Sequence, residues 1–327
     1  EMQSRNLKID VIRGIAILCV VWAHLQGFLT REIYIFHMPV FFFISGIFYR
    51  NKPKFILSKA KSLLIPYCLF NIAFAALYLL QGGQFIKRID LFSCTLTSTI
   101  NGPTWFLIAL FNINIIYWIL DKLIRKKKLI LAACFTIAIP LYYWNCILPF
   151  DLRISIIALP FFALGKWAKD ESIIERSGKP HIIIASIIYV LTALYCHFKP
   201  AIFDLHGNKL PLIFITYYAS ALSAILILMK IDWFSQQNKF NRFFASIGKR
   251  SLYIMSLHYP YMWTLFNFLT LHSPFSDKTI TNGYATVSAF LILSSFTFLI
   301  AVAIEKLQNL IKTYLSKHFR QEQEKTP

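Results

Sequence analysis

Long apolar stretches, separated by short polar and mostly basic connections, run along the whole chain. A membrane-spanning helix needs roughly 20 mainly apolar residues. Ten stretches approach that length: 9–28, 34–48, 63–80, 104–120, 129–144, 154–168, 181–195, 212–229, 251–271 and 284–304. The second, sixth and seventh are short for a full crossing and read as tilted or partly re-entrant. The pattern predicts an all-α, polytopic integral membrane protein of about ten transmembrane helices.

Composition sharpens this reading. The 327 residues are 57% hydrophobic and 15% charged, with mean hydropathy +0.56. Soluble domains carry about 25% charged residues, so a water-soluble fold would lack the polar surface it needs. The charge is lopsided, 34 Lys and Arg against 15 Asp and Glu. A basic excess raises nucleic acid as a partner, but here its distribution says otherwise. Of the 34 basic residues, 26 fall on the side holding the N-terminus, the even-numbered connections and the C-terminus; seven fall opposite, and Arg13 lies inside the first stretch. Positive residues collect on the cytoplasmic face. Both termini are therefore expected in the cytoplasm, and nucleic acid is not an expected partner.

The connections leave no room for a second folded domain. Residues 1–327 read as a single transmembrane domain, with 305–327 as a basic cytoplasmic tail. The first apolar run follows basic residues as a signal peptide does. It has no A-x-A cleavage site and carries charges, so it reads as retained. Of the six cysteines, Cys94, Cys146 and Cys196 fall on or near the outer side, where a disulfide is permitted; small apolar packing is the competing role.

Ionisable residues inside spans are costly, roughly 2.5–3.5 kcal/mol each at a helix centre, so they mark function or pairing. The candidates are Asp10, Arg13 and His24 in the first span, His37 in the second and His258 in the ninth. At about 100° per residue, Asp10, Arg13 and His24 share one face of the first helix, Arg13 and His24 lying about 16 Å apart along it. The competing readings are an interfacial Asp10–Arg13 ion pair and hydrogen-bonded interior histidines. No His-rich metal signature is present, and no metal is expected. Neither G-x-S-x-G, a P-loop nor G-x-G-x-x-G occurs. Ser45 beside Gly46 has the setting of a helix-packing contact. The outward loops carry Asp90, Asn101, Asp204, His206 and Asn208, groups that suit sugar hydroxyls but are also ordinary loop residues.

Two segments carry a family likeness. The opening Arg5…Ile9-Asp10-Val11-Ile12-Arg13-Gly14-Ile15-Ala16-Ile17 leading to His24 resembles the signature of the acyltransferase 3 family of bacterial membrane acyltransferases. The segment from Phe36 to Gly46 is similar to that family's second-span motif, in the version found in sugar O-acetylases of the fucose 4-O-acetylase type. Weaker likenesses follow in order at Leu64–Tyr67, Thr104–Leu107, Phe161–Gly165 and Ser251–His258.

The resemblance implies transfer of an acetyl group from cytoplasmic acetyl-CoA to a sugar hydroxyl of a surface or lipid-linked glycan. It places the chain in the bacterial cytoplasmic (inner) membrane among membrane lipids. The expected roles follow. His24 acts as general base or transient acyl carrier, Arg13 positions the donor or steadies developing negative charge, and Asp10 fixes Arg13. Lys61, Lys249 and Arg250 meet the phosphates of the acetyl-CoA cofactor together with Arg13. His37, Ser45, Trp105 and His258 form the carbohydrate side. The rival reading is a transporter or flippase of a glycan precursor, whose buried charges would line a pathway; the repeat symmetry of such proteins is not found. A structural scaffold leaves the Arg13–His24 arrangement unexplained.

Overall fold

The computed structural model describes residues 6–80, 101–144, 146, 148–199, 203–205, 207, 209–211, 213–272 and 283–323. Asp90, Cys94, His206 and Asn208 lie outside the described residues. Helices follow one another as α1 (Leu7–His24), α2 (Thr30–Tyr34), α3 (His37–Ile47) and α4 (Phe55–Lys59), the last running through a π turn into α5 (Ile65–Leu80). Then come α6 (Trp105–Leu123), α7 (Lys127–Tyr143), α8 (Leu152–Asp170), α9 (Ile173–Arg176) and α10 (Lys179–Phe198). The chain continues with α11 (Phe214–Lys230), α12 (Lys239–Lys249), α13 (Ser251–His272) and α14 (Gly283–Gln323). Among the described residues the one β feature is an isolated bridge between Asp204 and Lys209.

The ten apolar stretches coincide with α1, α3, α5, α6, α7, α8, α10, α11, α13 and α14. Among the described residues four helical stretches, Phe55–Leu77, Gly102–Leu123, Lys179–Phe198 and Thr286–Tyr314, are long and apolar enough to cross a membrane. The chain is an all-α membrane protein. Two of the stretches that look short are full helices: α8 has 19 residues and α10 has 20. Their polar ends continue the helix. In α8 the Lys166 ammonium donates to Asp170 one turn on at 2.7 Å, and Lys127 reaches the same carboxylate at 2.9 Å. Only α3 stays short, at 11 residues. α14 is one helix of 41 residues, from Gly283 to Gln323.

Glycines set the central contacts. A Cβ on Gly14 of α1 would collide with the Phe244 carbonyl of α12, and one on Gly248 of α12 with the Asp10 carbonyl of α1. Gly46 of α3 and Gly165 of α8 stand in the same relation to Phe162 and Phe43. Without side chains at these points the helix backbones touch directly, and dispersion replaces the hydrophobic drive that lipid does not supply. α1 starts at Asn6, whose side-chain oxygen accepts the Ile9 N–H at 3.3 Å, with Asp10 in the favourable first turn. It is buried around most of its girth: Val11, Ile12, Ile17 and Val21 are fully covered. Asp10 is covered too, while Arg13 and His24 remain half-buried, facing cavities at opposite ends of the helix.

α12 lies in a connection that hydropathy alone reads as a basic loop. It packs on α1 through the Gly248–Asp10 and Gly14–Phe244 contacts. α12 ends at Lys249 and the chain turns at Arg250 into α13, whose His258 comes to lie against His24. Cys146 and Cys196 are free thiols, Cys196 fully buried.

Candidate active site

The two histidines meet. His24 Nδ1 lies 2.7 Å from His258 Nε2, and their rings stack with centroids 4.9 Å apart. The direction of this hydrogen bond follows from the next one. His258 Nδ1 is 3.0 Å from the Ile254 carbonyl oxygen, which can only accept, so Nδ1 carries the proton. In a neutral imidazole the other nitrogen is then an acceptor. His258 Nε2 accepts, His24 Nδ1–H donates, and the lone pair of the His24 ring falls on Nε2. One backbone carbonyl thus sets the tautomer of both rings. His37 repeats the device: its Nδ1–H donates to the Ile33 carbonyl at 3.0 Å, and the edge of Tyr34 packs on its ring.

His24 and His37 line one cavity of about 230 Å3, with Val20, Tyr34, Trp105, Phe203, Asp204, Tyr217 and Tyr259 among its walls. Its floor loop is tied down by a buried polar knot. The Asn101 amide donates to the Ser256 carbonyl at 2.7 Å, two residues before His258. The Asn71 amide donates to Thr104 Oγ1 at 2.9 Å, and Asn71 Oδ1 accepts the Asn101 N–H at 2.9 Å. Asn101 is fully buried; it holds Gly102–Trp105 against α13 and is not a surface group. A second cavity of about 650 Å3 adjoins this one, lined by His24, Tyr34, Asp204, Arg31, Glu32, His197 and Lys209.

At the other end of α1 a third cavity of about 710 Å3 is lined by Asp10 and Arg13 with Lys8, Lys169, Lys230, Glu175 and Asp232. It gathers four cations from α1, α8 and α11. The other sequence-selected cations stand elsewhere. Lys61, on the π turn, and Lys249 are exposed. Arg250 donates to the Ser246 carbonyl at 3.0 Å and pairs with Glu305 at 2.6 Å, tying α13 to α14. Ser45 Oγ donates to its own Phe41 carbonyl at 2.7 Å. Trp105 lines the histidine cavity. His258, selected for the carbohydrate side, contacts His24 directly.

The sequence alone does not pair them, because 234 positions separate His24 from His258. Gly248, which packs its backbone on Asp10 of α1, is the sequence signal that α12 and α13 lie beside α1. The sequence profile of the acyltransferase domain of the acyltransferase 3 family matches residues 6–306. No curated protein and no solved structure matches the chain.

Proposed function

The chain belongs to the acyltransferase 3 family, and from that premise we propose that it moves an acetyl group from cytoplasmic acetyl-CoA to a sugar hydroxyl of a surface or lipid-linked glycan in the bacterial inner membrane. The observation that carries the reading is the 2.7 Å His24–His258 contact, which fixes the His24 tautomer beside a cavity roughly 16 Å along α1 from a cationic one. A donor rich in phosphate suits Lys8, Arg13, Lys169 and Lys230, since charge-assisted hydrogen bonds to phosphate are strong. Asp10, in the same cavity, orients this group of cations. The thioester arm extends along α1 toward the histidines.

His24 Nε2 takes the proton of the acceptor hydroxyl as that oxygen attacks the thioester carbonyl carbon. The C–O ester bond forms, the C–S bond breaks, and the imidazolium returns its proton to the departing thiolate. His258 holds the His24 ring by accepting from Nδ1, and that hydrogen bond strengthens as positive charge builds on the ring. Trp105 and the tyrosines around the cavity offer apolar faces to a sugar ring, and His37 Nε2 accepts from a second hydroxyl.

The experiment is acetylation of the glycan in membranes carrying His24→Ala or Arg13→Ala at matched expression. His24→Ala is expected to lose at least about a hundredfold, the typical contribution of a positioned acid–base group, and Arg13→Ala about tenfold or more through a raised donor KM, the scale of a hydrogen bond to a charged group. Wild-type turnover in both would overturn the mechanism.

A further inference from the structure

The histidine cavity and the larger cavity beside it share three lining residues: His24, Tyr34 and Asp204. These three mark the throat between the two spaces. We infer that Asp204 is the acceptor-recognition group of this throat, accepting a hydrogen bond from a hydroxyl neighbouring the one that His24 deprotonates, so that the preferred acceptor is a carbohydrate bearing adjacent hydroxyls. The inference rests on the acyl-transfer reading and adds to it the side chain that selects the acceptor.

Asp204 is built into place. Its backbone exchanges two hydrogen bonds with Lys209, at 2.8 and 2.9 Å, closing a tight hairpin. Phe203 and Leu205 on either side are buried, 1% and 4% exposed, and anchor that turn in the bundle. Asp204 Oδ1 accepts the Gly207 N–H at 2.9 Å, and a Cβ at Gly207 would collide with the same carboxylate. The carboxyl group therefore stands in one orientation before any ligand arrives. One backbone donor uses one of the roughly four lone-pair sites of a carboxylate, leaving capacity for hydroxyl donors. A carboxylate acceptor and a base that line the same two cavities can hold two hydroxyls of a single ring, the arrangement that fixes one of them for reaction.

The chief competing role for Asp204 is that of a turn former alone, and Asp204→Asn separates the two. Asparagine keeps an Oδ1 to accept the Gly207 N–H, so the hairpin survives, while the negative charge goes and one oxygen becomes a donor. Purified full-length protein is supplied with acetyl-labelled acetyl-CoA and, as acceptor, surface polysaccharide stripped of its esters by mild alkali. Acceptor KM, donor KM and thermal midpoint are measured for wild type, Asp204→Asn and His24→Ala. Asp204→Asn is expected to raise acceptor KM about tenfold or more, the scale of a hydrogen bond to a charged group, with donor KM and midpoint unchanged. Unchanged acceptor KM, or a parallel rise in both KM values, overturns the assignment while a dead His24→Ala leaves the transfer reading standing. A wild-type protein that labels no polysaccharide, or a fully active His24→Ala, contradicts the transfer reading and the throat with it.

Discussion

Replacing His258 by alanine tests the proposed relay from a backbone carbonyl to the reacting nitrogen. The substitution removes the acceptor that faces His24 Nδ1 at 2.7 Å. Leaving a buried donor without its acceptor costs about 1–3 kcal/mol. The ring also loses the contact that keeps the lone pair on Nε2, so it populates the other tautomer and other rotations. Taken as a loss in the transition state, about 1–3 kcal/mol lowers kcat roughly 5- to 150-fold. Donor KM should stay put, because the cationic cavity at Arg13 does not include His258. His258 is fully buried, so alanine also leaves a void, and the thermal midpoint must be followed alongside. His258→Gln provides the control: its amide oxygen restores an acceptor, and kcat is expected to recover at least in part. The assay is transfer of labelled acetyl to the polysaccharide at saturating donor. A folded His258→Ala protein with wild-type kcat would refute the relay.

Two further substitutions test the frame around the site. Gly248→Ala drives a methyl into the Asp10 carbonyl where α12 crosses α1; overpacking of this kind costs about 1–3 kcal/mol. It should lower the thermal midpoint and, by displacing His258 from His24 and shifting Asp10 in the cationic cavity, lower kcat and raise donor KM. Asp151, in the connection before α8, is buried, and that burial raises its carboxyl to about 7. A raised carboxyl contributes its stability fully below about pH 4 and loses it as pH climbs through about 7. Asp151→Asn stays neutral and tolerates the left-handed backbone there, φ 53°. Its midpoint advantage over wild type should therefore grow between about pH 4 and pH 7 and be flat on either side; a pH-independent difference would contradict the buried-carboxyl account.

Much of the fold was legible because lipid leaves a chain few choices: apolar length predicts helices, and each of the ten stretches sits on one. The shared face of Asp10, Arg13 and His24 was legible from helical geometry, and the two ends of that face do line separate cavities. The rest depends on contacts between distant segments. α12 carries Lys239, Arg242 and Lys249 in a connection that counts as topological charge, so hydropathy hides a helix that packs on α1 through Gly248. The His24–His258 pair spans 234 positions and depends on that crossing. Asn101 looks like any loop amide until Asn71, Thr104 and Ser256 bury it. Arg250 looks like a phosphate ligand until Glu305 on α14 is found beside it. Asp204 was one of several polar loop residues, and only the hairpin that orients it sets it apart.

In the proposed reaction an acyl group passes from the Arg13 end of α1 to a hydroxyl deprotonated by His24 at the other end. Reconstituted vesicles provide the test, with labelled acetyl-CoA confined to the face nearer Arg13 and de-esterified polysaccharide confined to the opposite face. The account expects labelled ester on the polysaccharide with wild type and none above background with His24→Ala. Label that appears only when donor and acceptor share a face, or that appears equally with His24→Ala, would contradict it.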